Sequence, residues 1–330
     1  DCLLSRGLGD VYKRQGDIYF GEVETIQAER SHAFEKFMQW SEENARLDVR
    51  MNAETAQDIQ AGYQFGAKGI GLVRTEHMFF APERLIEMRR FILSDTQDKR
   101  IAALKTIKQY QKNDFEEILK LSGERPTIIR LLDPPLHEFL PNSNNEKATV
   151  AEQLNVTIKE LDQYIESLNE VNPMLGHRGC RLAIKYPELY IMQAEAIIES
   201  ALELKAQGVS CQPEIMIPLV STVAEFTTLK AQIISRIETL QQEAKEHIHY
   251  MIGTMIETPR ACLIASELAK ECDFFSFGTN DLTQLTFGFS RDDAGTFIGT
   301  YSELGILEHD PFQTLDVEGI GEPVSYTHLT

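Results

Sequence analysis

Between residues 47 and 282, short apolar stretches rich in β-branched residues alternate with longer stretches whose apolar positions recur three or four apart. A short apolar run bounded by turn residues reads as a buried strand, whereas the longer spacing reads as one face of an amphipathic helix. The pattern predicts strands over residues 47–52, 69–76, 127–133, 174–178, 214–221, 250–257 and 274–280. Helices between them carry start signals. Thr157-Ile-Lys-Glu160 and Thr222-Val-Ala-Glu225 have the spacing of capping boxes, and Thr258 followed by Pro259 reads as an N-cap and first helical residue. After Thr157, the residues Ile158, Leu161, Ile165, Leu168 and Val171 fall on one helical face. Residues 136–171 are long for a βα loop and are expected to form a helical excursion with a polar tip at 142–147.

Regular alternation of strand and helix predicts an α/β fold with a parallel sheet, wound either as a barrel or as an open doubly wound sheet. Seven predicted strands are one short of a closed (β/α)₈ TIM barrel, so the expected architecture is such a barrel lacking its last strand and helix. Residues 16–46 are expected to be a linker and leading helix, and residues 47–323 the incomplete barrel. The flanks read differently. Residues 10–15, Asp-Val-Tyr-Lys-Arg-Gln, and residues 324–329, Val-Ser-Tyr-Thr-His-Leu, can be back-translated to one DNA segment read on opposite strands. Protein tails have no reason to be reverse complements. Residues 1–15 and 324–330 are therefore expected to be translated sequencing adapter and are set aside.

Charge narrows the partners. Lys and Arg number 32 against 51 Asp and Glu in 330 residues, a net charge of −19. That balance argues against a nucleic-acid backbone or an anionic membrane surface as the main partner. No apolar run approaches the roughly 18 to 20 residues that cross a bilayer. Cys180, Cys211, Cys262 and Cys272 are scattered and form no Cys-x-x-Cys pair, which fits buried thiols in a reducing cytoplasm. A plastid location stays open as well.

Candidate chemistry lies at the ends of the predicted strands: Arg74 and Glu76, Arg130 and Asp133, Arg178, Glu257, and Asn280 with Asp281. In a barrel these ends converge on one face, where active sites form. Any one of these charges could be an ion pair or a cap, but their recurrence at the same end points to a site. Glu257 and Asp281 each terminate an apolar run with no His or Cys beside them, which suits a hard, oxygen-preferring cation such as Mg²⁺. The other reading makes Glu257 the partner of an arginine and Asp281 a helix N-cap. Arg74, Arg130 and Arg178 can hold a carboxylate or phosphoryl group bidentately, and Gly278-Thr279-Asn280 offers backbone N–H groups to the same anion. His77, His137 and His177 neighbour these residues and are read as supporting hydrogen-bonding groups.

Five segments together carry a resemblance. They are Gly66-Ala-Lys-Gly-Ile-Gly-Leu-Val-Arg-Thr-Glu-His-Met-Phe-Phe80, Arg130-Leu-Leu-Asp-Pro-Pro-Leu-His-Glu-Phe139, Asn172-Pro-Met-Leu-Gly-His-Arg-Gly-Cys-Arg181, Ile256-Glu-Thr-Pro259 and residues 274–282. They resemble the C-terminal domain of the pyruvate, phosphate dikinase family across residues 16–322. The resemblance implies a (β/α)₈ barrel that binds pyruvate or phosphoenolpyruvate with Mg²⁺ as cofactor. On matching positions it implies that Arg74 and Arg130 hold the phosphoryl group and carboxylate, and that Glu257 and Asp281 bind the metal. Gly278, Thr279 and Asn280 would line the substrate anion, and Arg291 would be a further phosphate-facing arginine. Arg178 joins Arg74 and Arg130 as an expected catalytic arginine. The implied reaction is phosphoryl transfer between a phosphohistidine and the enolate of pyruvate. Its partners would be phosphohistidine and ATP-binding domains of a longer chain, and the family is expected to form homodimers.

Two features depart from the family pattern: the phosphohistidine and ATP-binding domains are not in this sequence, and it contains no Cys-Gly-Glu-His-Gly-Gly segment, whose cysteine the family uses to protonate the enolate. Val73 stands where the family often has cysteine, a tolerable difference. The expectation is therefore a phosphotransferase domain that is inactive alone. Two alternatives are a Mg²⁺-dependent lyase or mutase on a related barrel, which would turn over by itself, and a docking module, which would bind no ligand with Mg²⁺.

Overall fold

A computed structural model describes residues 31–321, so the adapter segments 1–15 and 324–330 and the first part of the 16–46 linker lie outside the described residues. The described residues divide into two compact units, 31–48 and 49–321. In the first, α1 (His32–Asn44) starts where Ser31 accepts a hydrogen bond from the Phe34 N–H at 3.2 Å.

The second unit opens with β1 (Arg50–Asn52), α2 (Ala56–Gln64), β2 (Gly69–Arg74), α3 (Pro82–Ile92), α4 (Gln97–Ser122) and β3 (Pro126–Arg130). A helical excursion follows: α5 (Asn144–Leu154), α6 (Ile158–Leu168), α7 (Gly179–Lys185) and α8 (Pro187–Ala206). Then come β4 (Gln212–Ile217), α9 (Val223–Ala244), β5 (Met251–Ile256), α10 (Pro259–Leu263), α11 (Ala265–Leu268) and β6 (Phe275–Phe277). Beyond them lie α12 (Thr279–Phe287), α13 (Arg291–Ala294) and α14 (Ile298–Glu303). The strands form one parallel sheet in sequence order from β1 to β6. Both capping boxes form, and Thr258 caps α10 with Pro259 at its start.

One predicted strand is absent. Residues 174–178 form a 3₁₀ turn at Pro173–Leu175 and then a loop, because β3 and β4 pair directly from Pro126↔Gln212 to Arg130↔Met216. That ladder leaves no edge for another strand between them, and Pro173 could donate nothing to one. Arg178 accordingly sits at the N-cap of α7 instead of a strand end. The polar tip expected at residues 142–147 is the capped start of α5, where Ser143 accepts from the Glu146 N–H. On α6, Leu161 is buried, but Ile158 and the more distant Val171 are exposed.

The sheet is curled. Neighbouring strands lie about 4.8 Å apart, so β1 and β4 would be about 14 Å apart in a flat sheet. Yet Arg50 of β1 reaches Glu214 of β4 at 2.7 Å, and Glu214 is buried. Side chains standing perpendicular to a flat sheet could not meet across that gap. Alternation along the strands, interrupted in β2 by a register shift between Ile70 and Val73, then separates two cores. Leu72, Ile128, Met216 and Met255 meet inside the curl. Ile70, Val73, Ile129, Ile215, Ile217, Ile252 and Ile256 face outward, onto α4, α8 and α9. Helix α8 is buried along most of its length between α4 and α9, and Lys108 of α4 bridges Glu195 and Glu199 of α8 at 2.7 and 2.6 Å. The architecture is a partial TIM barrel, open beyond β6 among the described residues.

Candidate functional site

Parallel strands in a curled sheet deliver their C-terminal ends to one rim. A cavity of about 490 Å³ lies there, and Arg74, Arg130, Arg178, Glu257, Gly278, Thr279, Asn280, Asp281 and Arg291 all line it. Another cavity, of about 420 Å³ between α4 and α8, is lined by Ile101, Leu104, Ile191 and Met192 beside Lys108 and Glu195, which pair with each other, and has no arginine.

Each residue is placed by a definite element. Arg74 ends β2 and donates through Nη1 to Glu54 at 3.0 Å; the other Glu54 oxygen meets His77 Nδ1 at 2.7 Å. Arg130 ends β3, pairs with Glu76 and lies 3.2 Å from Asp133. Arg178 Nη2 donates to Asp133 at 2.6 Å and to Asp281 at 3.3 Å. Glu257 follows β5, is 1% exposed, and accepts from the Leu219 N–H at 2.6 Å. Leu219 reaches it with a left-handed backbone, φ 60°. Gly278 and Glu257 crowd each other: a Cβ on Gly278 would lie 2.6 Å from both Cβ and Oε2 of Glu257. Thr279, Asn280 and Asp281 form the first turn of α12, so Asp281 is a first-turn carboxylate, neither strand end nor N-cap. Arg291 opens α13 and donates to Asn280 Oδ1 at 2.7 Å.

Electrostatics follow from burial. Glu257 is pushed well above the usual carboxylate range, first by burial and then by Asp133 and Asp281. Burial works against the charge of Arg178, but Asp133, Asp281 and Glu257 outweigh it and raise its pKa. The side chains also leave buried atoms without partners: Arg130 Nε and Arg178 Nε as donors, Glu76 Oε2 and Asp133 Oδ1 as acceptors. Spare donors suit an anion, while Glu257, which accepts only from the Leu219 N–H, and Asp281 on the same cavity are hard oxygen donors of the kind Mg²⁺ takes. Among the described residues no cluster of three His, Cys, Asp or Glu ligands is preassembled for a metal. An ion such as Mg²⁺, which takes some ligands from water and substrate, does not need one.

Sequence reading missed Glu54, the residue that holds Arg74. Its signal was available, since Glu54 follows the end of β1 by two positions, as Asp133 follows β3 by three. Asn52 and Ser276 also line the cavity and carried no signal beyond their place on strands.

Comparison with known proteins gives the family of the chain. Residues 28–329 match the family described as PEP-utilising enzyme, PEP-binding domain. The chain is 51% identical over 308 residues to the pyruvate, phosphate dikinase of Rhizobium meliloti, covering 93% of this chain and 34% of that protein. It is 47% identical over 310 residues to the pyruvate, phosphate dikinase of Clostridium symbiosum, covering 94% and 36%. Against the Arabidopsis thaliana protein called pyruvate, phosphate dikinase 1, chloroplastic, identity is 48% over 310 residues, covering 93% and 32%. The chain thus spans about a third of the length of these relatives. With a match across nearly its whole length and a half-barrel to carry it, the chain belongs to the PEP-utilising enzyme family, as a PEP-binding domain of the pyruvate, phosphate dikinase kind.

Proposed function

We propose that this cavity binds phosphoenolpyruvate or pyruvate together with Mg²⁺, and that it serves phosphoryl transfer to and from a phosphohistidine on another domain of an intact pyruvate, phosphate dikinase. The observation that carries the reading is the convergence of Arg130 and Arg178, each with an unpaired buried Nε, on the same cavity as Glu257 and Asp281. Arginine forks bind the phosphoryl and carboxylate oxygens, and the N-terminus of α12 adds free N–H groups and the positive end of its dipole. Glu257 and Asp281 would hold Mg²⁺, which when bound would supply a Lewis acid for the developing enolate charge.

In the direction that consumes phosphoenolpyruvate, the bond between its enol oxygen and phosphorus breaks, and a bond from phosphorus to a histidine nitrogen forms. The enolate keeps the electron pair, and a proton added at its methylene carbon gives pyruvate. Arg74, Arg130 and Arg178 hold charge at the phosphoryl and enolate oxygens through this change, with Glu54 keeping Arg74 aimed. In reverse, the enolate oxygen attacks phosphohistidine and the nitrogen–phosphorus bond breaks. Cys180 is not the acid: its thiol lies in the outer core, donates to the Leu219 carbonyl, and burial pushes it up to about 12. The phosphohistidine domain, the ATP-binding domain and a homodimer belong to the same proposal, and the chain alone is expected to show no turnover.

Calorimetric titration of phosphoenolpyruvate into the 330-residue chain, with and without Mg²⁺, tests the reading. Binding should require Mg²⁺ and vanish in a Glu257→Ala, Asp281→Ala double variant whose circular dichroism matches the wild type. Undiminished binding by that variant, or no binding by folded wild type, would overturn it.

A further inference from the structure

The charges at the cavity do not pair one to one. Glu76, Arg130, Asp133, Arg178 and Asp281 form an alternating chain that runs from the turn after β2 to the first turn of α12, every side chain at most 12% exposed. Asp133 sits between two arginines, and Arg178 between two carboxylates. The two contacts of Arg178 are unequal, 2.6 Å to Asp133 and 3.3 Å to Asp281. Among the described residues Asp281 has no other ion pair. Glu257 has none at all there and is held by the Leu219 N–H alone.

We propose that Arg178 is the internal counter-ion of Asp281, displaced from it when a divalent cation binds, and that this displacement couples cation binding to anion binding. The inference rests on the reading above that Glu257 and Asp281 take the cation. Geometry favours Asp281 as the partner released. The Asp133 contact is shorter, and Asp133 is fixed from behind. Gly179 donates its N–H to the Asp133 carbonyl at 2.9 Å, and its φ of 57° lets it lie where a Cβ would come within 3.2 Å of Asp133 Oδ1. Arg178 Nε is buried and unpartnered, so the guanidinium can turn about its Asp133 anchor without breaking a bond at Nε. An N–H freed from Asp281 is then available to a substrate anion in the same cavity. Coupling of this kind is reciprocal: what cation does for anion, anion does for cation.

The test reads cation affinity directly, with Mn²⁺ as the probe by electron paramagnetic resonance, and phosphoenolpyruvate affinity by calorimetry with and without Mg²⁺. Arg178→Met is expected to bind Mn²⁺ about tenfold tighter than wild type without phosphoenolpyruvate, and to lose most of the Mg²⁺ dependence of phosphoenolpyruvate binding. Arg291→Met is the control, because Arg291 lines the same cavity but is bonded to Asn280 and, among the described residues, to no carboxylate. It should change Mn²⁺ affinity by less than about threefold. Arg178→Lys keeps the charge on a side chain with a single donor point and serves if the methionine variant does not fold. It should tighten Mn²⁺ binding by an intermediate factor. The inference is overturned if wild type binds Mn²⁺ and neither Arg178 variant binds it tighter, or if Arg291→Met tightens it as much. Loss of Mn²⁺ binding in folded wild type and in every variant would instead remove the cation site, and the coupling with it.

Discussion

His177 shows how one residue beside the site answers to its surroundings. Its ring packs near Tyr186, with centroids 5.9 Å apart, and Nε2 is buried without a partner. Burial first, then the positive charge of Lys185, lowers its pKa from 6.5. As pH falls, the unfolded chain therefore takes up the proton before the folded one does. This contribution to stability is whole above about pH 6.5 and is lost as pH falls through the depressed folded value. His177→Phe, which keeps a ring against Tyr186, is expected to flatten the acid limb. Thermal melts between about pH 7.5 and about pH 5 should show a smaller loss of Tm in the variant, and equal losses would refute the assignment. The site residues differ in how far they could be read locally. Arg130 and Glu257 were legible because a charge at the end of an apolar run stands out, whereas the Leu219 N–H that holds Glu257 depends on a left-handed backbone that leucine does not advertise.

Among the elements, helix starts were the most legible feature, because a cap is written within four residues. At α9, Ser221 and Thr222 both donate backbone N–H groups to Glu225 at 2.8 Å, and Glu225 returns its N–H to Thr222 at 3.1 Å. Thr222→Ala should cost about 1 kcal/mol in urea denaturation. A loss near zero would show that the packing of Phe226, Leu229 and Ile233 holds this end of the helix without its cap. The failed strand at residues 174–178 marks the opposite case. Whether an apolar stretch becomes a strand depends on a free neighbouring edge, and β3 and β4 had already filled each other's. The segment then took the turn that Pro173 and Gly176 allow, which delivered Arg178 to the rim from a helix start.

For the molecule as a whole, the Arg50–Glu214 pair joins strands that are three apart in the sheet, so it exists only because the sheet curls. Arg50→Met should destabilise the chain by about 3 kcal/mol, since it strands the buried Glu214 carboxylate. The Arg50→Met, Glu214→Met double variant should recover most of that loss in the same denaturation experiment. If the double variant is as unstable as the single one, the pair is not the source of the cost. Apart from the strand expected at 174–178, the order of strands and helices, the parallel class of the sheet, the caps and the arginine and carboxylate candidates were legible locally, because each depends on spacing within a few residues. The pairings were not. Glu54 with Arg74, Arg178 with both Asp133 and Asp281, and Arg50 with Glu214 each join residues 20 or more positions apart. Which charge finds which is decided by curvature and register: a one-residue slip would turn Arg50, Arg74 or Glu214 to the opposite face of the sheet, and Arg178 and Asp281 reach the rim only from helix starts.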